Sequence, residues 1–309
     1  MAEVFVARKL AGDALTRLED AGHRVTVWPG NLPPHPTELR DALTTVNALL
    51  TTLTERVDQA LLDAASQLKV IANYAIGFDN IDLAATTARE IPVGVTPDVL
   101  TDATADLTFA LLLAAARRLP EAAQAVRDGR WRTFETQGWL GADVAHQTIA
   151  IVGGAGRIGG AVARRAQGFD MKVLIVGRGG DLHQALQHAD FVSLHAPLTP
   201  QTRHMIDAPA LHAMKPGAIL VNTGRGGLVD QPALAAALTS GHLAAAALDV
   251  TDPEPLPPDD PLLQAPNLLI LPHIGSATHT ARAKMTSLAV DNLLAGLAGE
   301  PLPHPAGGR

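Results

Sequence analysis

Apolar positions along the chain fall into short aliphatic or β-branched runs, separated by segments in which apolar residues recur at helical spacing. This is the rhythm of βαβ units and a parallel sheet rather than of hairpins. In the first third the runs at 3–8, 23–28, 48–52, 69–75 and 92–96 predict five strands, with amphipathic helices between them at 13–21 and 56–65. Residues 102–119 are apolar around the whole circumference, which predicts one long helix packed against another domain or subunit, kinked or ended by Pro120. The irregular stretch 129–141 holds Trp131 and Trp139. A second alternation follows, with strands predicted at 148–152, 172–177, 191–195, 218–223, 243–250 and 268–272. A final amphipathic helix at 282–297 is placed to return to the first domain. The class is α/β, with two parallel-sheet domains.

Composition narrows the chemistry. A chain of 309 residues with 47% hydrophobic and 18% charged residues fills two ordinary cores. The net charge of −7 argues against nucleic acid as a partner, since phosphate binding needs clustered cations. The sequence contains no cysteine, which excludes disulfides, thiolate-held metals and a cysteine nucleophile. The opening residues Met1-Ala2-Glu3-Val4 lack a basic region leading into an apolar run, and the strongest apolar stretch, 107–116, is half of what a bilayer requires. A cytoplasmic protein without a membrane or metal partner is expected.

Gly154-Ala155-Gly156-Arg157-Ile158-Gly159 follows an apolar strand and opens a helical segment, the context in which such a glycine string cradles a pyrophosphate. At the end of the next strand, where an NAD-binding protein carries a carboxylate for the ribose hydroxyls, the sequence has Gly177-Arg178. Glycine makes room for a 2′-phosphate and arginine offers it a charged fork, so NADPH is the expected cofactor, with NADH possible. A solvated surface role for Arg178 is the competing reading. Three polar residues follow successive predicted strands: Arg225 among glycines, Glu254 between prolines, and His273 at the end of an apolar run. Singly, each has an ordinary structural reading. Together on a sheet that carries a dinucleotide cradle, carboxylate, imidazole and guanidinium favour hydride transfer to or from a carbon bearing oxygen. His195, at another strand end, is a candidate cofactor neighbour or a packing residue.

The stretches 73–82, 96–102, 193–199, 222–227, 248–256 and 272–278, with the glycine loop, resemble the D-isomer-specific 2-hydroxyacid dehydrogenases over nearly the whole chain, and among them glyoxylate/hydroxypyruvate reductases. The resemblance implies a discontinuous flavodoxin-like substrate domain, residues 1–98 with 285–309, and a Rossmann-type cofactor domain, residues 99–284. It implies catalysis by Arg225, Glu254 and His273, with Arg225 holding the substrate carboxylate, His273 donating the proton and Glu254 orienting the imidazole. Substrate contacts fall on Leu53, Ala75, Ile76, Gly77 and a Trp139 supplied across a homodimer. Cofactor contacts fall on Gly154, Gly156, Arg157, Ile158 and Gly159, and beyond the cradle on Arg178, His195, Thr223, Asp249 and Gly275, with Asp249 receiving the nicotinamide carboxamide. The implied activity is reduction of glyoxylate, hydroxypyruvate or another small 2-keto acid to the D-2-hydroxy acid. A dinucleotide-sensing binding protein on the same scaffold is the alternative. Two departures stand out: Gly153 is an insertion relative to the family, and Arg178-Gly179-Gly180 runs straight into Asp181, so that an edge strand and its helix are missing.

Overall fold

The structure, a computed structural model, describes residues 1–307. These contain eleven strands: β1 (Glu3–Val6), β2 (Arg24–Val27), β3 (Ala48–Thr51), β4 (Val70–Asn73), β5 (Val93–Gly94), β6 (Thr148–Val152), β7 (Lys172–Val176), β8 (Phe191–Leu194), β9 (Ile219–Asn222), β10 (Ala245–Leu248) and β11 (Leu268–Ile270). Every predicted strand is present, and most are trimmed at the C-terminal end. The trimmed residues, Thr52, Ala75, His195, Thr223 and Pro272 among them, belong to the turns that leave the sheets.

The chain divides into two compact units, Met1–Leu100 with the segment from Ala277 onward, and Thr101–Ser276. The resemblance implies a second crossing at 284/285, which falls inside the continuous helix His279–Ala298. That helix packs as one piece on β3 and β4, so the crossing lies ahead of it.

In the first unit five parallel strands take the order β2-β1-β3-β4-β5, the order of winding reversing between β1 and β3. β3 and β4, Ala-Leu-Leu-Thr and Val-Ile-Ala-Asn, are buried throughout, as strands covered on both faces must be. The β5 edge is closed by the C-terminal tail: Val95 N donates to His304 O at 2.8 Å and Ala306 N to Val93 O at 2.7 Å. Buried Asn292 fastens the tail, donating to Val95 O at 3.0 Å and accepting from His304 N at 3.0 Å.

In the second unit six parallel strands take the order β11-β10-β9-β8-β6-β7. This is a doubly wound sheet without its outermost strand, so β7 is an edge. Helix Leu182–His188 follows the turn after β7 at once, capped by Asp181. The long apolar helix ends earlier than its pattern suggested. It spans Thr101–Ala116, the chain turns left-handed at Arg118 (φ 52°), and Pro120 starts the next helix, Leu119–Arg127, instead of ending the first. Within its own unit the long helix lies on β9, β10 and helix Arg157–Gly168, and Phe109, Leu111 and Leu112 are buried in that core. No helix among the described residues is long and apolar enough to cross a membrane.

Candidate active site

The second unit places its polar groups at the C-terminal ends of its strands, where doubly wound sheets bind ligands. After β6, which lies at the reversal of strand order, the chain makes a tight glycine turn, with Gly156 N donating to Gly153 O at 2.9 Å, and enters helix Arg157–Gly168. A Cβ on Gly159 would lie 2.6 Å from Gly154 Cα, so only glycine allows the helix to approach the turn this closely. Asp58, Asp82, Asp181, Asp207, Asp230 and Thr278 cap six helices of this chain; this one begins at Gly156 with no side-chain cap, as do Thr16–Asp20 and Leu119–Arg127. An anionic cap would compete with a phosphate for the first-turn N–H groups, and its absence leaves them to the ligand. These residues therefore fit a dinucleotide pyrophosphate. Gly153 sits at φ 81° with its N–H donated to Val176 O at 2.8 Å, an arrangement that its missing side chain permits. Arg178 is exposed just past β7.

Arg225, Glu254 and His273 come from the segments after β9, after β10 and after β11, three neighbouring strands in register at Asn222, Leu248 and Ile270. His273 Nδ1 donates to Glu254 Oε1 at 2.5 Å. The pair is a quarter to two-fifths exposed, open enough for a reacting molecule. The Glu254 loop is braced from below: Gln231 donates to Asp252 O at 2.8 Å and accepts from Asp252 N at 2.7 Å, and Arg203 pairs with Asp252 at 2.9 Å. Arg225 is half-buried, with Nη1 donating to Gly224 O at 2.9 Å. Buried Asn222 shapes its turn, donating to Arg225 O at 2.8 Å and accepting from Gly224 N at 3.0 Å. Gly226 is obligatory here, because a Cβ would meet the Thr251 carbonyl carbon at 2.0 Å.

His273 has a left-handed backbone, φ 53°. Asp249 holds it there. Its main-chain oxygen accepts from His273 N at 2.9 Å, and its carboxylate oxygens accept from Ile274 N and Gly275 N at 2.7 Å each. Thr104 Oγ1 adds a bond to Gly275 O at 3.1 Å. Burial raises the Asp249 pKa, opposed by the Ile274 N–H, the nearby His273 and the Gly275 N–H. His195 pairs through Nε2 with Ser193 Oγ at 2.8 Å and through Nδ1 with Thr223 Oγ1 at 3.5 Å. Thr223 continues to Thr108 Oγ1 at 2.9 Å. Burial lowers the His195 pKa to about 4, so the ring is neutral at physiological pH.

In the first unit, Leu53 lies in the loop after β3, and Ala75, Ile76 and Gly77 in the turn after β4. Ala75 N donates to Asn73 O at 2.8 Å, while the N–H groups of Ile76 and Gly77 have no acceptor among the described residues. Two adjacent unsatisfied N–H groups at a strand end can bind an anion. Trp139 lies at φ 58° in the extended segment after Arg127, with the Arg130 guanidinium 5.6 Å from its ring centroid. Around it Trp131, Phe134 and Leu140 are exposed by 63%, 86% and 67%. Gln231, Thr104 and Glu55 carried no sequence signal, while Asn222, Ser193, Asn73 and Asn80 stood inside the resembling stretches without a role assigned to them; Asn also recurs as the last residue of β4 and of β9.

A pyrophosphate cradle on the same sheet edge as an imidazole–carboxylate pair places the chain among nicotinamide-dependent oxidoreductases. Residues 109–275 match the family described as D-isomer specific 2-hydroxyacid dehydrogenase, NAD binding domain. A glyoxylate reductase from Korarchaeum cryptofilum is 44% identical, the alignment covering 97% of this chain and 94% of that protein. A Thermus thermophilus protein of known crystal structure superposes with TM-score 0.93 at 48% identity, over 98% of this chain and 99% of that one. An NADPH-dependent glyoxylate/hydroxypyruvate reductase from Sinorhizobium meliloti, crystallised with NADP and malonate, gives TM-score 0.86 at 32% identity, covering 99% and 97%. The chain belongs to the D-isomer-specific 2-hydroxyacid dehydrogenases, enzymes with an NAD-binding domain.

Proposed function

We propose that the protein reduces glyoxylate, hydroxypyruvate or a closely similar 2-keto acid to the D-2-hydroxy acid, with NADPH preferred over NADH. The observation that carries this reading is the 2.5 Å pairing of His273 with Glu254 at the strand ends next to Arg225. The names of the Korarchaeum and Sinorhizobium relatives support the substrate and the cofactor. The cradle residues Gly154, Gly156, Arg157, Ile158 and Gly159 would hold the pyrophosphate. Arg178 would face the 2′-phosphate, and His195, Thr223, Asp249 and Gly275 would line the rest of the cofactor site. The reduced nicotinamide supplies the hydride when bound. Because Nδ1 of His273 is engaged by Glu254, the proton for the keto oxygen leaves from Nε2. Glu254 fixes the tautomer and the orientation of the imidazole. Arg225 takes the substrate carboxylate in two-point fashion and draws charge from the carbonyl. In the first unit the unbonded N–H groups of Ile76 and Gly77, with Ala75 and Leu53, would contact the substrate carboxylate.

The exposed aromatic segment around Trp139 suits burial against a second copy of the chain, so the working form on this reading is a cytoplasmic homodimer. Loss of absorbance at the nicotinamide band, followed with glyoxylate, hydroxypyruvate and pyruvate under each reduced cofactor, tests the proposal. His273→Ala should lower kcat by about 10²- to 10⁴-fold with cofactor affinity kept. Arg225→Ala should raise KM for the keto acid most. A protein that binds NADPH yet turns over no 2-keto acid would instead be a dinucleotide-sensing binding protein.

A further inference from the structure

We infer that Glu55 and Asn80 are positioning residues that lock the Leu53 loop to the Ile76–Gly77 turn, and so set the affinity for the keto acid without taking part in hydride or proton transfer. The inference rests on the preceding reading that these two loops bind the substrate carboxylate.

Glu55 is 4% exposed, although it follows an edge-on loop in which Thr54 and Arg56 face solvent. A carboxylate is not buried so deeply without compensation. Three donors converge on its Oε2: Thr52 N at 2.7 Å, Thr52 Oγ1 at 2.8 Å and Thr51 Oγ1 at 3.1 Å. All three belong to the two residues that precede Leu53, so the charge fixes where that loop leaves β3. Oε1 is buried with no hydrogen-bond partner. Asn80 bridges from the other side. Its Nδ2 donates to Thr52 O at 2.8 Å and to Glu55 O at 2.9 Å, and its Oδ1 accepts from Asn73 Nδ2 at 3.3 Å. The same Asn73 amide donates to Gly77 O at 2.8 Å. Gly77 O is thereby pinned inward, as Ala75 O is by Thr96 N at 2.8 Å, which leaves the intervening N–H groups of Ile76 and Gly77 unbonded. One network thus sets both loops. Neither Glu55 nor Asn80 provides the anion contact itself.

The discriminating measurement is the split between KM and kcat. Glu55→Gln keeps the shape but removes the charge and puts an amide N–H₂ in a buried place that offers it no acceptor. The charge-assisted bonds that fix the loop are weakened, so KM for glyoxylate should rise about tenfold or more, with kcat at saturating substrate within about twofold and NADPH affinity by fluorescence titration unchanged. Glu55→Asp should recover part of the affinity. Thr52→Val, which deletes one donor, should move KM in the same direction and serves if Glu55→Gln does not fold. Asn80→Ala combined with Glu55→Gln should cost less than the two single effects added. Unchanged KM in a folded variant overturns the inference, and so does a parallel fall in kcat and NADPH affinity, which marks a merely structural role. If the unaltered protein reduces no 2-keto acid, the functional reading itself fails and takes this one with it. Turnover by the unaltered protein with an indifferent Glu55→Gln variant overturns this inference alone.

Discussion

His195 shows how burial decides the protonation of one ring. Its two nitrogens face hydroxyls of Ser193 and Thr223, neither of which can stabilise a charge as a carboxylate would. The folded protein therefore holds the ring neutral down to about pH 4, whereas the unfolded chain protonates it near 6.5. Between those values the unfolded state binds more protons, so folding stability falls as pH drops through the window and levels off below about 4. The full shift corresponds to roughly 3 kcal/mol at most. Denaturant titrations at pH 7, 5.5 and 4.5 should show this decline, and His195→Gln should flatten it. An equal slope in the variant would mean that other groups carry the pH dependence. His273 is set by geometry instead: Glu254 Oε1 lies 2.5 Å from Nδ1, and its left-handed φ of 53°, a strain of about 1–3 kcal/mol, is held by the N–H groups that Asp249 gathers.

At the scale of elements the cradle makes the sharper demand. Gly159 lies in the first turn of helix Arg157–Gly168, and an added methyl would press on Gly154 Cα at 2.6 Å and Gly153 O at 2.7 Å, both backbone atoms that cannot swing aside. Gly159→Ala should therefore shift the helix start away from the turn, lower the melting temperature as overpacking of about 1–3 kcal/mol does, and weaken NADPH and NADH alike by about tenfold or more, read by fluorescence titration on the folded variant. Retained affinity would show that the N–H groups at this terminus do not hold the pyrophosphate. The glycine string and the strand before it were legible in the sequence because both are local: period-2 and period-3.6 patterns set the elements, and glycine spacing sets the turn. The places of Arg225 and His273 just past strand ends were legible for a related reason, whereas Glu254 stands well beyond the end of β10 and the roles given to all three came from the family resemblance. The long helix was misjudged at its end, where Arg118 adopts φ 52° and lets Pro120 begin a new helix; sequence pattern carries no sign of that choice. The roles of Glu55, Asn73 and Asn80 were invisible because their partners are main-chain carbonyls and hydroxyls brought in by folding. A buried Glu and an exposed Glu read alike in a loop.

For the whole molecule the telling contrast is between the edges of the two sheets. The first sheet closes its β5 edge with the tail at His304 to Ala306, so the backbone groups there are paired. The second sheet ends at β7, where Ile175 is 49% exposed and Lys172 also faces solvent, and no strand among the described residues lies beyond it. This is the side on which a doubly wound fold holds the adenosine half of its ligand. A missing strand removes wall area there and any second cation that a longer loop would bring to a 2′-phosphate, leaving exposed Arg178 to act alone. An isolated guanidinium at the surface is worth about 1 kcal/mol or less, which is about a fivefold ratio of dissociation constants. NADPH should accordingly be preferred over NADH by about fivefold or less in direct titration. The preference should shrink as salt is raised, and Arg178→Ala should abolish it without changing the affinity for NADH. Tight NADPH binding with a strong preference that survives Arg178→Ala would mean that the 2′-phosphate is read by groups other than the one left at this edge, and that the shortened sheet costs the cofactor nothing.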